Sequence, residues 1–299
     1  MPTTNVTSLG GLNKLKSFHN LRQKEVFCPV TKVSVQTTPL TTGDDLSLRT
    51  MVSSPDLYDR EIAALIYKHT KFPEFNQRLS FDQFIDTFSS FDRKVILYGI
   101  YSATYDKIAT DNITCPNCKH EFEDEIKSNE IVHPDLFSIW DKEKPFNEFY
   151  KEVEVSINPP EVQNTITSLN FITGIPSIRD HFNILKLVSP DKMKSNFDKT
   201  GQILSRSEEL TLITKVIQVN SNIGGVQEID NINDVDSVHE AISEYVSSDL
   251  VKTVVDQYNE EFNKYSPDFK KFYTCSNCGH EFDVPVNIEL SLFRTFFEF

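Results

Sequence analysis

Two short cysteine-containing segments carry the clearest chemistry in this 299-residue chain. The first reads Cys-Pro-Asn-Cys-Lys-His-Glu-Phe at positions 115–122, and the second reads Cys-Ser-Asn-Cys-Gly-His-Glu-Phe at positions 275–282. Two thiolates on one tight turn can bind a soft divalent ion, but they supply only half of a tetrahedron. The twin segments therefore predict one structural zinc ion, with four ligands: Cys115, Cys118, Cys275 and Cys278.

The long loop between the two segments is compatible with a shared site. Closing a loop costs about 0.6 kcal/mol more for each doubling of its length, so this spacing adds roughly 2 kcal/mol to the cost of an ordinary zinc ribbon. Structural zinc in small finger peptides contributes on the order of 10–16 kcal/mol of apparent binding free energy, which is larger. Two alternatives stay open: each pair binds its own ion with help from His120 and His280, or the pairs form a redox couple.

Composition limits the classes of partner. The formal net charge of −14 and the pI near 5.0 argue against general nucleic-acid binding, which depends on neutralising phosphates with Lys and Arg. We therefore expect protein partners. We find no apolar run near the ~20 residues of a membrane helix and no signal-peptide pattern, so we expect no membrane association and a cytosolic site of synthesis.

Cysteine usage favours reduced thiols over disulfides. Four of the five cysteines lie in the twin segments, and the fifth, Cys28, stands alone. This distribution does not fit a secreted disulfide framework. We expect Cys28 to be a small buried residue.

The predicted fold class is α+β, a mainly helical body with short antiparallel strands and a zinc ribbon closed by two distant knuckles, as we call the Cys-x-x-Cys turns. The predicted domain organisation has five parts. They are a flexible N-terminal arm at 1–24, a hairpin with helices and the first knuckle at 25–126, an acidic linker at 127–147, a strand plus helical domain at 148–270, and the second knuckle with an aromatic C-terminus at 271–299.

Local patterns place the secondary structure. A hairpin is predicted over 25–40, and strand alternation is predicted around Val153, Val155 and Ile157. Helix starts are predicted at Ser54-Pro55-Asp56, Ser80, Ser90, Ser177, Ser205, Asp234 and Ser247. The helix from Ser205 is expected to continue through Val216 and Ile217, the segment 220–233 to be a loop, and the acidic segment 123–143 to be irregular.

An internal repeat and an aromatic chain end complete the pattern. A Ser-Ser start, a helix, an extended run and a Cys-x-x-Cys-x-His-Glu-Phe turn occur twice, from Ser89 and from Ser247, which favours a duplicated unit and a pseudo-twofold zinc ribbon. The last eight residues include Phe293, Phe296, Phe297 and Phe299. Two interpretations stay open: these rings close a core beneath the ribbon, or they anchor a partner.

We find no sequence motif for catalysis. Phosphate loops, nucleophile elbows, His-Glu-x-x-His segments and paired-carboxylate motifs are missing from the sequence. Four thiolates fill a zinc tetrahedron, which makes the site structural. We therefore expect no enzyme activity.

The order of these motifs resembles the T-even-type tailed-phage baseplate hub subunit and tail assembly protein family. The resemblance runs from about Val26 onward, and its residues are Thr37-Thr38-Pro39-Leu40-Thr41, Leu97-Tyr98-Gly99, Cys115-Pro-Asn-Cys118 and Cys275-Ser-Asn-Cys278, followed by the phenylalanine-rich end. The family's zinc ligands carry over only onto the four knuckle cysteines. Two features depart from the family pattern: Lys119 stands where glycine fits a left-handed turn more easily, and the arm and acidic segment look like additions.

The resemblance implies a structural subunit of a phage tail baseplate hub. Such a subunit would be assembled in the host cytoplasm, reside in the virion, and contact other baseplate or tail proteins, with multiple copies in a symmetric assembly. The alternatives are a transient tail assembly chaperone that is absent from the mature virion, and a zinc-ribbon regulator of transcription.

Overall fold

The computed structural model describes residues 22–44, 47, 55–75, 78–131, 150–155, 166–188, 191–192, 195, 204–221, 224–230, 234–262, 266–267 and 269–286. Its helices are α1 Pro55–Lys68, α2 Phe81–Thr87, α3 Ser90–Thr104, α4 Ile178–Leu187, α5 Arg206–Ile213, α6 Val235–Tyr245 and α7 Ser248–Phe262. Its strands are β1 Lys24–Phe27, β2 Ser34–Thr37, β3 Thr70–Lys71, β4 Lys107–Thr114, β5 Glu121–Lys127, β6 Tyr150–Val155, β7 Ile166–Gly174, β8 Thr214–Ser221, β9 Gly225–Asp230, β10 Lys270–Thr274 and β11 Glu281–Pro285. The α+β class is therefore confirmed.

Capping boxes set several helix starts where the sequence predicts them. Ser80, Ser89 and Ser177 each accept a hydrogen bond from the backbone N–H three residues on, and the side chain at that position bonds back to the cap. These exchanges satisfy N–H groups that the first turn of a helix leaves without partners. Of the serine-based starts, only the one before α1 depends on a residue, Ser54, that lies outside the described part of the chain.

The first core lies between the N-terminal hairpin and helices α1, α2 and α3. Strands β1 and β2 pair antiparallel, as predicted, and β3 adds a third strand beside β2. Cys28 is fully buried, which confirms the expectation for the lone cysteine. The buried residues of this core are Val26, Cys28, Val35, Ile62, Ala63, Leu65, Ile66, Phe84, Ile85, Phe88, Val95, Ile96, Leu97, Ile100, Tyr101, Ile126, Ile131, Ile178, Phe182 and Val286.

The second core lies between a four-stranded antiparallel sheet, ordered β6-β7-β8-β9, and helices α5, α6 and α7. The apolar residues of α7 that are buried there form one stripe: Val251, Val254, Val255, Tyr258 and Phe262. On α6, Val238 and Ile242 are buried, but Tyr245 is exposed. The buried residues of this core are Val30, Phe91, Phe171, Ile175, Leu210, Ile213, Ile217, Val238, Ile242, Val251, Val254, Val255, Tyr258 and Phe262.

Each core includes residues from chain segments that border the other core. Helix α4 follows the sheet strand β7 in sequence, yet its Ile178 and Phe182 belong to the first core. Phe91 at the start of α3 and Val30 in the N-terminal hairpin belong to the second. Backbone hydrogen bonds also connect the start of α3 to the start of α4: Ser90 N–H donates to Pro176 O, and Ile178 N–H donates to Phe88 O.

The sheet corrects two predictions for the middle of the chain. Helix α5 ends at Ile213, and Val216 and Ile217 lie in β8. The predicted loop at 220–233 contains β9, which pairs with β8 from Val216↔Asp230 to Ser221↔Gly225. Helical spacing and strand alternation are hard to distinguish in a short apolar run, and pairing with the unpredicted strand β7 decides this one.

The prediction that the acidic segment 123–143 is irregular is wrong over its first residues. Residues 121–127 form strand β5, and Ser128–Glu130 form a 3₁₀ turn. The acids alternate with residues that face inward, so Glu121, Glu123 and Glu125 are exposed while Phe122, Asp124 and Ile126 are partly or fully buried. Residues 132–149, which include the rest of the acidic segment and of the predicted linker at 127–147, lie outside the described residues, as do 1–21 of the arm and 287–299 of the aromatic end.

No helix within the described residues is long and apolar enough to span a membrane.

Substituting Gly99 by alanine should destabilise the first core. A Cβ atom at Gly99 would lie 2.9 Å from both Thr37 Oγ1 and Val26 Cγ1, because α3 packs directly on the hairpin. Overpacking costs about 1–3 kcal/mol, and alanine in a helix interior regains up to about 1 kcal/mol. We expect Gly99→Ala to lower the free energy of unfolding by roughly 1–2 kcal/mol in urea denaturation.

Gly224→Ala is the matched control for this prediction. A Cβ at Gly224 has its nearest neighbour at 3.7 Å, an ordinary contact. We expect this variant to unfold at the wild-type urea concentration. Equal stability of the two variants would contradict the close packing at Gly99.

Candidate metal centre

Two hairpins of the same design carry the cysteines. The first knuckle hairpin is β4–β5 and the second knuckle hairpin is β10–β11. In each, the residue before the first cysteine pairs with the glutamate six residues after that cysteine, Thr114↔Glu121 in one and Thr274↔Glu281 in the other. The two turns therefore present their thiols in the same way.

The backbone of both turns is closed by the same hydrogen bonds. Cys115 N–H donates to His120 O at 2.9 Å, and Lys119 N–H donates to Cys115 O at 3.0 Å. The second turn repeats this with Cys275 to His280 at 2.9 Å and Gly279 to Cys275 at 2.8 Å. Both Lys119 and Gly279 are left-handed, with φ of 60° and 70°. Glycine adopts this conformation freely, whereas lysine pays a modest steric cost.

The four sulfur atoms lie together although the hairpins are distant in sequence. Cys115 Sγ is 3.8 Å from Cys278 Sγ, and Cys118 Sγ is 3.6 Å from Cys275 Sγ, across separations of 163 and 157 residues. All four ligand atoms lie within 4.8 Å of one another. A tetrahedral ion with metal–sulfur bonds of about 2.3 Å sets its sulfurs about 3.8 Å apart. The predicted ligands are thus positioned to hold one metal ion between them.

The two histidines are placed away from the ligand set. The His120 ring stacks on Phe122 and the His280 ring stacks on Phe282, with centroids 6.1 and 6.2 Å apart. Within the described part of the chain, the four cysteines are the only group of metal-binding side chains brought together, and no histidine is included. All four are free thiols. This arrangement favours the shared site over one ion per knuckle.

Two asparagines cross from one knuckle to the other. Asn117 Nδ2 lies 3.6 Å from Cys278 Sγ, and Asn277 Nδ2 lies 3.6 Å from Cys118 Sγ. The sequence analysis missed them, although an asparagine immediately before the second cysteine of both segments was a readable signal. They donate to the sulfur of the opposite hairpin and so support the pseudo-twofold arrangement.

The thiols differ in acidity. The His120 backbone N–H, followed by the Asn277 amide, lowers the pKa of the Cys118 thiol to about 6. Burial raises the pKa of Cys275 to about 11, although the backbone N–H groups of Asn277 and Cys278 donate to its sulfur. A bound cation would favour the thiolate form of all four groups.

Lys271 joins the hairpins a second time. Its ammonium group, on β10, lies 2.6 Å from Asp124 Oδ2 on β5 and 2.7 Å from Glu130 Oε2. The lysine side chain is 14% exposed, so this pair is better shielded than an ordinary surface pair. The hydrogen bond from Lys271 lowers the pKa of both carboxyls. The sequence analysis did not find this contact.

The hairpins meet through aromatic rings and are fixed to the first core. Phe122 and Tyr273 contact edge to face with centroids 5.7 Å apart, and Tyr273 stacks on Phe282 at 5.8 Å. Tyr98 on α3 stacks on Phe269 at 5.1 Å, and its hydroxyl donates to Ser128 O. Because α3 and α7 precede the two hairpins, the sulfurs join a helix of the first core to a helix of the second.

The order of elements seen in the sequence repeat is present in the structure. Helices α3 and α7 both have 15 residues, and each is followed by a strand, a knuckle and a strand. Duplication remains the hypothesis that explains this order.

No family model matches the chain, and comparison with curated proteins and with solved structures gave no significant match. The functional assignment therefore depends on the geometry of the chain and on its sequence patterns.

The first prediction for this site concerns metal content. We expect one metal ion per chain after purification without chelator, measured by inductively coupled plasma mass spectrometry. Cys278→Ser should lose the ion, and the free energy of unfolding should fall by about 3 kcal/mol or more, since structural zinc contributes on the order of 10 kcal/mol in finger peptides. Cys28→Ala, which changes a cysteine outside the site, should retain it. Full metal content in Cys278→Ser would contradict the shared site.

The second prediction concerns Lys271. Lys271→Met should lower the free energy of unfolding by about 1–2 kcal/mol, because Asp124 and Glu130 lose a shielded partner. Lys270→Met is the control, since Lys270 pairs with Asp283 within one hairpin, where both side chains are about a third or more exposed. We expect its effect to stay below about 0.5 kcal/mol in thermal or urea unfolding. Equal effects of the two substitutions on the free energy of unfolding would contradict the role of Lys271 as a link between the hairpins.

Proposed function

We propose that this chain is a structural, non-enzymatic subunit of a phage tail baseplate hub, in which one zinc ion fixes the relative position of two cores. The observation that carries the proposal is the meeting of two thiol pairs, 157 to 163 residues apart, at the spacing of a tetrahedral thiolate site. Each pair stands on a hairpin that follows a helix of a different core.

Zinc is the ion that this ligand set favours. Four thiolates in a tetrahedral arrangement select zinc or iron–sulfur chemistry, and a four-cysteine zinc site leaves no coordination position for substrate. A closed site of this kind stabilises a fold and does not activate water. The zinc would therefore act as a structural link.

The link supports a role in assembly. Holding two cores in one arrangement before binding reduces the conformational entropy that is lost when a partner docks. The acidic net charge of −14 fits protein partners better than nucleic acid. The resemblance to the baseplate hub family supplies the assignment to a phage tail, to contacts with other baseplate or tail proteins, and to the virion.

The location of the chain provides the test. We expect mass spectrometry of purified virions to detect the chain, and a tagged chain to co-purify other tail proteins from infected cells. Cys278→Ser should misplace the docking surface and so reduce this co-purification at least about tenfold. A tenfold loss corresponds to about 1.4 kcal/mol of binding free energy. Cys28→Ala should behave as the wild type.

Two outcomes would redirect the assignment. Co-purification with tail proteins but absence from finished virions would identify a transient assembly chaperone. Recovery with RNA polymerase and without tail proteins would identify a transcription regulator and overturn the proposal.

A further inference from the structure

A third turn in the chain has the backbone geometry of the two knuckles. In the N-terminal hairpin, β1–β2, Cys28 N–H donates to Val33 O at 2.9 Å and Lys32 N–H donates to Cys28 O at 3.0 Å. These are the two bonds that close the turns at Cys115 and Cys275. Lys32 is left-handed with φ of 61°, as Lys119 and Gly279 are.

The strand register of this hairpin is also the same. Phe27, before the cysteine, pairs with Ser34, six residues after it, as Thr114 pairs with Glu121 and Thr274 with Glu281. The sequences agree in part, since the turn reads Cys-Pro-Val-Thr-Lys at 28–32 and the first knuckle reads Cys-Pro-Asn-Cys-Lys at 115–119. Thr31 stands where the second cysteine of a knuckle would be.

A carboxylate occupies this turn. In the second knuckle the backbone N–H groups of Asn277 and Cys278 donate to Cys275 Sγ. The corresponding N–H groups of the N-terminal hairpin belong to Val30 and Thr31. They donate to Asp92 Oδ1 at 2.9 Å and to Asp92 Oδ2 at 3.3 Å.

We infer that the N-terminal hairpin is a third knuckle hairpin in which the Asp92 carboxylate takes the place of the thiolate and its metal. Asp92 is fully buried and lies in the first turn of α3, where it also accepts from the Ser89 backbone and hydroxyl. One carboxylate thus closes the turn and caps the helix. Asp92 is therefore the positioning residue that fixes the hairpin to α3 without metal.

The state of Cys28 agrees with this substitution. Its thiol is fully buried, and burial, followed by the charge of Asp92, raises its pKa. A neutral thiol needs no cation beside it. On this inference, the described part of the chain holds two knuckles that depend on a metal and one that does not.

Amide hydrogen exchange measured by NMR on the full chain tests the inference. Removing zinc with a chelator should accelerate exchange at Asn277 and Cys278 and leave Val30 and Thr31 protected as before. Asp92→Asn replaces one of the two acceptor oxygens by an NH2 group that faces backbone donors, so it should accelerate exchange at Val30 and Thr31 about tenfold or more.

Ser89→Ala is the control that separates the cap from the turn. It removes the capping hydroxyl and keeps the Asp92 carboxylate, so it should destabilise α3 while Val30 and Thr31 keep their protection relative to neighbouring amides. Unchanged exchange at these two amides in Asp92→Asn would overturn the inference. Their loss of protection after zinc removal, or in Ser89→Ala to the same degree as in Asp92→Asn, would overturn it as well.

Discussion

The convergence of four thiols is the interaction on which the rest of this structure depends. Each core has its own buried cluster, and the cores share a few side chains through α4, Phe91 and Val30. Among the residues that the structure describes, only the two knuckles bring the two chain halves together with the spacing of a metal tetrahedron. An ion bound at that point would fix the direction of α3 relative to the direction of α7.

The surroundings of the thiols reinforce that dependence. Amide donors cross from each hairpin to the sulfurs of the other, and a shielded ammonium group joins β10 to β5. These contacts are weaker than metal–thiolate bonds, and they hold the two hairpins against each other.

The sequence was informative where one local cause determines the outcome. Cys-x-x-Cys spacing predicted the four cysteines that the fold brings together, and serine caps with an acid or amide three residues on identified helix starts. It failed where pairing partners decide: β8 has helical and strand spacing at once, and only its contact with β7 makes it a strand. Strand β5 was not recognised because it is rich in acids. One of them, Asp124, faces inward toward Lys271, and nothing in the sequence indicates this partner 147 positions away.

The contact between Lys271 and Asp124 also breaks the symmetry that the repeat would otherwise have. Aligned on their cysteines, the position equivalent to Lys271 in the first hairpin is Asp111, and the position equivalent to Asp124 in the second is Val284. Two second hairpins from different molecules would offer each lysine only a valine at the position that Asp124 holds in the first hairpin. Charge thus favours the pairing of a first hairpin with a second hairpin over the pairing of two second hairpins.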